Sequence, residues 1–254
     1  VIEHHNTTGE RFLLDDPVQL IKKKQYNHVP VVTGIVRDEF KERFAWMLTN
    51  SEESKRELEF FNNNFNKVLP VILLYDDKTE KEERQITDEL QRFYLNGEQI
   101  NNNTINGLGD AFADATIIHG EYTTAKLLAK YNNAPVYFYM FNYLGRYGHA
   151  HDSTTSKVLG PTHHDELIYL FYVLKGFPKF NTTDPEAIMV RRLTTLWSNF
   201  ASTGNPTPTN SSVQWLPMGV NNLKYLDLNT DLKMVNGLPY PERMRVWDSL
   251  FPID

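Results

Sequence analysis

The chain has 254 residues, 41% hydrophobic and 23% charged, with a formal net charge of −6 and no cysteine. That is the make-up of an ordinary globular protein, long enough for one large core or two modest ones. It excludes disulfides and thiolate metal sites within the chain, offers no basic stripe for nucleic acid, and contains no apolar run near the roughly 18 residues of a membrane span.

The first 28 residues are polar and irregular, and lack both an initiator methionine and the charged start and apolar stretch of a signal peptide. A mature or cleaved product is the expectation. Within them, Asp16-Pro17 is an N-cap followed by a proline at the first helical position, which predicts a short helix over 16–24. Residues 29–36 are apolar and rich in β-branched side chains, the pattern of a strand buried on both faces in a parallel sheet. Residues 40–100 read as largely helical. Within that region 78–94 carries the Glu, Lys and Arg of a solvated face. The Asn-rich run 98–109 reads as a loop, and 110–131 as a long amphipathic helix. Residues 134–141, Ala-Pro-Val-Tyr-Phe-Tyr-Met-Phe, form the clearest strand. A loop over 145–160 precedes two histidines and a helix predicted over 165–175. A further helix is predicted over 184–203, closed by Gly204-Asn205-Pro206. An extended piece follows at 223–228, and a last helix over 241–251. No repeat, low-complexity segment or linker divides the chain.

Two places carry candidate chemistry. The apolar strand 29–36 ends in Arg37-Asp38-Glu39, so an acid lies just past a strand's C-terminal end, where open α/β sheets bind ligands. Gly160-Pro161-Thr162-His163-His164-Asp165-Glu166-Leu167 is a turn that presents histidines before an apolar run. An imidazole titrates near neutrality and can take and return a proton, and a carboxylate can orient it. His163 is the candidate base, with His164 as alternative. Glu39 is the candidate orienting acid, with Asp38 as alternative. The plainer readings are a capping or surface histidine and a solvated turn acid. Glu166 reads equally as an acceptor near His163 or as a helix N-terminal charge. Acid before histidine is the order of an α/β-hydrolase triad, which should begin with a serine in a G-x-S-x-G elbow. No such motif occurs in the chain. Ser202, followed by Thr203-Gly204, has Phe200 where the elbow needs glycine and no strand before it, so it reads as structural. No histidine pair has metal-ligand spacing of the H-E-x-x-H type, and no Gly-rich loop cradles phosphate. Phe40, Phe44, Trp46, Phe60 and Phe61 are candidates to wall an apolar pocket or, more simply, to fill the core.

Taken together, these residues resemble the carboxylesterase/cholinesterase family, its insect esterase branch most of all, and only the family's C-terminal half. Residues 31–39 are similar to the strand and turn that deliver the triad acid, and Gly160-x-x-His163 with Asp165-Glu166-Leu167 to the turn that delivers the histidine. Residues 197–206, Trp-Ser-Asn-Phe-Ala-Ser-Thr-Gly-Asn-Pro, resemble the family's W-x-x-F-A-x-T-G-x-P signature. Residues 225–228 and 245–248 also fit. Two departures stand out: Phe40 follows Glu39 where the family has glycine, and a disulfide common in this half is absent.

The resemblance implies an α/β fold of the α/β-hydrolase class. Residues 1–254 would be the C-terminal portion of a larger, mostly parallel sheet completed by an N-terminal half on another chain. It implies a carboxylic-ester hydrolase in which Glu39 and His163 serve a serine and oxyanion donors on that partner chain, with no cofactor and no metal. The alternative is a non-catalytic esterase-like protein that binds an apolar small ligand. Four N-x-S/T sequons, at Asn6, Asn102, Asn181 and Asn210, lie in polar surroundings and make N-glycosylation and a secreted location the expectation.

Overall fold

The computed structural model describes residues 9–49, 51–152, 155–172, 176–208 and 213–253. Asn6, Asn210 and the His4-His5 pair lie outside them. The chain opens with α1 (Pro17–Lys22), where the Asp16 side chain accepts from the Val18 backbone N–H as expected of an N-cap. Strand β1 (Val31–Val36) follows, then a 3₁₀ segment (Lys41–Leu48). Helices α2 (Glu52–Asn63), α3 (Phe65–Ile72), α4 (Glu80–Leu95) and α5 (Ile105–Ala113) come next. A π segment (Asp114–Ile118) carries α5 directly into α6 (His119–Tyr131). Strand β2 (Val136–Phe141), α7 (Leu167–Leu170), α8 (Ala187–Thr203), β3 (Lys224–Leu228), β4 (Lys233–Asn236) and α9 (Pro241–Leu250) complete the described elements.

The four strands form one sheet in the order β1-β2-β3-β4. β1, β2 and β3 run parallel, with Val31 opposite Val136, Val36 opposite Phe141 and Tyr139 opposite Leu226. β4 closes one side antiparallel to β3. A parallel sheet is covered on both faces, and its strands then read as continuous apolar runs. β2 shows why. Its alternate residues Val136 and Phe138 enter a core built from α2 to α6 and α9, while Tyr137 and Phe141 enter a second core with α8, Trp215 and Leu226. β1 splits the same way, Ile35 to the first core and Val36 to the second. Gly34 has to be glycine, because a Cβ there would lie 2.3 Å from the Tyr139 carbonyl oxygen on β2. β1 is the other end of the sheet. Its outer edge has no strand neighbour among the described residues, and only Ile35 and Val36 of its six residues are buried.

Three elements depart from the sequence-based expectation. Helix α5 begins at Ile105, inside the run expected to be loop, because Thr104 gathers the turn before it: its hydroxyl donates to the Gln99 carbonyl and accepts from the Asn101 N–H. Helix α7 is a single turn, ended at Phe171 by an extended backbone. Residues 173–175, the end of the helix expected there, lie outside the described residues. β4 carried no sequence signal, being four residues with both ends exposed.

Candidate active site

Glu39 leaves β1 in a tight turn. The Arg37 N–H continues the ladder to the Phe141 carbonyl, and the Asp38 N–H donates to the Pro161 carbonyl at 3.0 Å. That second bond ties the acid's turn directly to the histidine's turn. The Glu39 carboxylate then folds back under the strand, where Oε1 accepts from the Val36 N–H at 2.8 Å and Oε2 lies 2.7 Å from His163 Nδ1. Glu39 is 3% exposed and His163 retains 27% of its side-chain surface. One oxygen is spent on holding the carboxylate and the other on holding the imidazole.

The turn that carries His163 is locked by its own residues. The Asp165 carboxylate accepts from the Thr162 N–H at 2.9 Å and from the His149 N–H at 2.8 Å, and the His149 ring Nδ1 also lies 2.8 Å away. The Thr162 hydroxyl donates to Glu42, in the 3₁₀ segment that follows the acid. The Thr162-x-x-Asp165 spacing is a local capping pattern, a signal that the sequence carries but that the sequence-based expectation missed. The pairing with His149 and Glu42 was not legible, because those residues lie 16 and 120 positions away from their partners.

Electrostatics follow from burial. Desolvation pushes the Glu39 carboxyl up to about 7, with the nearby acids Glu121, Glu42 and Asp165 adding to it and the Val36 N–H opposing. Desolvation also lowers His163, against the pull of Glu166 and Glu42. The two share protons as a unit. With Glu39 ionised, Nδ1 carries the proton and donates it to the carboxylate, which leaves the Nε2 lone pair free to act as a base.

The alternatives are placed elsewhere. Asp38 accepts from the Arg37 guanidinium at 2.8 Å and does not face the imidazole. His164 makes no hydrogen bond to a carboxylate among the described residues, and its ring lies 3.9 Å from that of His163, tilted by 33°. Glu166 is mostly buried, and its Oε2 makes no hydrogen bond among the described residues. Its carboxyl is raised by that burial and by Glu39. Ser202 sits on α8 and donates to the Ser198 carbonyl. Among the candidate aromatic residues, Phe40 reaches the site, with its ring 4.3 Å from that of His163. Phe44 and Phe61 are core residues, and Trp46 and Phe60 are about half exposed. Among the described residues no group of three metal-ligating side chains converges, and no helix is long and apolar enough to cross a membrane. Asn102 and Asn181 are both exposed.

Phe40 keeps the turn that a glycine would make. Its φ of 47° and ψ of 16° are left-handed, a conformation costly for a bulky residue.

A family model described as the carboxylesterase family matches residues 2–247. Among curated proteins, the chain is similar to a juvenile hormone esterase from Tribolium castaneum, 28% identical over 233 residues that cover 86% of this chain and 38% of that protein. It is similar to esterase FE4 of Myzus persicae, 31% identical over 217 residues that cover 84% of this chain and 36% of that protein. Among solved structures, juvenile hormone esterase from Manduca sexta with OTFP covalently attached matches with a TM-score of 0.77 at 22% identity. That match covers 99% of this chain and 46% of that one. The fold is thus that of an α/β-hydrolase, represented here in part, and the chain spans 36–38% of the length of these curated relatives.

Proposed function

The chain belongs to the carboxylesterase family, and on that premise we propose that it is the part of a serine carboxylic-ester hydrolase that holds the triad acid and histidine. Glu39 is the orienting acid and His163 the general base. The serine nucleophile and the oxyanion donors come from a partner chain carrying the N-terminal half of the fold. The observation that carries this reading is the 2.7 Å contact between Glu39 Oε2 and His163 Nδ1, made by two residues 124 positions apart and closed from behind by the Val36 N–H.

The chemistry follows from that geometry. As the serine hydroxyl attacks the ester carbonyl, its proton passes to His163 Nε2. The resulting imidazolium is stabilised by the Glu39 carboxylate at Nδ1. The proton then goes to the leaving alkoxide, an acyl-enzyme forms, and a water activated by the same Nε2 releases the acid. The open outer edge of β1 supports the partner: alternate residues of the strand turn their backbone away from β2, and no strand lies beyond them among the described residues. The exposed sequons at Asn102 and Asn181 support a secreted glycoprotein.

One observation favours a second reading, a non-catalytic protein that binds an apolar ligand: Phe40 replaces glycine at the turn and puts its ring against His163. A serine-directed phosphonate separates the two. The native particle is treated with the probe, and intact masses and N-termini are read. A co-purifying chain that takes the label, with labelling lost in His163→Ala, is the expected result. Label on one longer polypeptide keeps the catalytic pair and removes the partner-chain arrangement. A complete particle that takes no label leaves the ligand-binding reading in its place.

A further inference from the structure

We propose that Phe40 and His164 form an aromatic clamp on the imidazole of His163 and act as positioning residues for it. The proposal rests on the reading of His163 as the base.

Each clamp residue directly follows a member of the pair in sequence, Phe40 after Glu39 and His164 after His163. Both stand in left-handed backbone, with φ of 47° and 73°, although neither is glycine. Such a conformation persists in a residue with a Cβ only where the surroundings over-determine it. Here it turns both rings onto the same target. The Phe40 ring lies 4.3 Å from that of His163 at 37°, and the His164 ring lies 3.9 Å away at 33°. Phe40 and His164 make no ring contact with one another among the described residues, so they meet the imidazole from different sides. Each is backed in turn. Phe40 packs edge-on against Phe112 at 5.8 Å, at the border of the first core. His164 meets His149 at 6.1 Å, and His149 is tethered by the buried Asp165.

The clamp supplies what the hydrogen bond to Glu39 cannot. With the ring tethered at Cβ, a single bond at Nδ1 sets its rotation about Cβ–Cγ only within the give of one hydrogen bond. The two tilted ring contacts narrow that range from either side and hold Nε2 in one direction. The flanking rings also act on charge: the Phe40 face favours the imidazolium, while a protonated His164 opposes it. The other ionisable groups acting on His163 and His164 are Glu39, Glu42, Glu166, His149 and Asp165.

The test uses Phe40→Gly and His164→Asn. Each removes a ring and leaves a residue at ease with positive φ, so the two turns persist. In the hydrolase complete with its nucleophile-bearing portion, and with 4-nitrophenyl butyrate as the probe ester, each variant is expected to lose about tenfold in kcat with KM unchanged. The acidic limb of the pH profile should move. Phe40→Trp and His164→Phe, which restore a ring, should recover most of the loss. In ring-labelled protein the His163 signals should lose their ring-current shift and broaden in both ring-free variants. Unmoved His163 signals, or an unmoved kcat and pH limb in both, overturn the clamp. His163→Ala, measured alongside, tests the underlying reading separately: turnover that survives it removes His163 as the base, and the ring signals alone then decide whether the clamp exists.

Discussion

At the scale of the residue, Glu39 explains most of the site. It is an acid 3% exposed, held by one backbone N–H and one imidazole. Its carboxyl is pushed up to about 7, chiefly by burial, so it and His163 take up a proton together as pH falls. Proton transfer from serine needs Glu39 ionised and His163 neutral. Phosphonate labelling of the complete hydrolase is therefore expected to fall as pH drops below about 7. In Glu39→Gln only His163 titrates. Its pKa is already lowered by burial and no longer supported by a carboxylate, so the midpoint should move to lower pH while the rate falls by about 10²- to 10⁴-fold. Stability carries the same group with its own sign. A carboxyl raised in the fold favours folding fully below the ordinary carboxylate range, and that contribution is lost as pH rises to about 7. Glu39→Gln should therefore gain stability relative to the parent across that window, read as the difference in urea midpoints at pH 5 and pH 8. An unchanged difference would sink the assignment of a strained, buried carboxylate.

Both members of the pair were legible in the sequence, because an acid closing an apolar strand and a histidine following Gly160-Pro161 are local patterns. The choice between neighbours was not. Asp38 and Glu39 differ by one methylene and one position, and what separates them is Arg37, which occupies Asp38 while Glu39 turns under the strand. His163 and His164 are separated the same way, by which ring meets a buried carboxylate. Phe40 was visible as a departure from glycine, but its contact with the imidazole needed the two turns to meet.

At the scale of the element, the long helical stretch 105–131 shows how a local irregularity is used. The π segment Asp114–Ile118 widens the helix by one residue and places Asp114, fully buried, against α9. There Arg243 forks onto both carboxylate oxygens at 2.6 and 2.7 Å. The Tyr94 hydroxyl donates to the same carboxylate and accepts from the Trp247 indole N–H. The network joins α4, the π segment and α9 through groups that each need the others. Removing Asp114 takes the acceptor from the buried Tyr94 hydroxyl and leaves a guanidinium of 16% exposure with only the longer ion pair to Asp110, at 3.4 Å. Asp114→Ala is expected to cost about 3–5 kcal/mol, measured as the shift in denaturant midpoint of the assembled protein. A loss under about 1 kcal/mol, the range of an exposed ion pair, would show that the pair is solvated. Sequence periodicity identified the helix but not the bulge, because a single extra residue leaves the apolar pattern on either side intact.

At the scale of the whole molecule, the sheet is unequal at its two ends. β4 ends one side as a short antiparallel strand with exposed ends, a common way to blunt an edge. β1 ends the other as six residues of Val, Thr, Gly and Ile with no strand beyond them among the described residues. In the chain by itself, the outward-facing amides of Val32 and Gly34 should exchange with solvent rapidly, whereas that of Val36 is held by Glu39. In the complete hydrolase they should be protected, as a central strand's are. Equal exchange in both states would mean that nothing pairs with this edge.

The sequence by itself determined the class of fold, the parallel strands and the residue types of the site. The class of fold rests on the resemblance to the family, and the rest on local signals: β-branched runs, capping residues and an acid or histidine at a strand or turn end. Only the tertiary structure decided which of two adjacent acids and two adjacent histidines meet, that Asp165 and Glu42 brace the histidine's turn, and that rings on both sides hold the imidazole. Those contacts join residues up to 124 positions apart, and burial, which sets their protonation, exists only once the two turns have closed on each other.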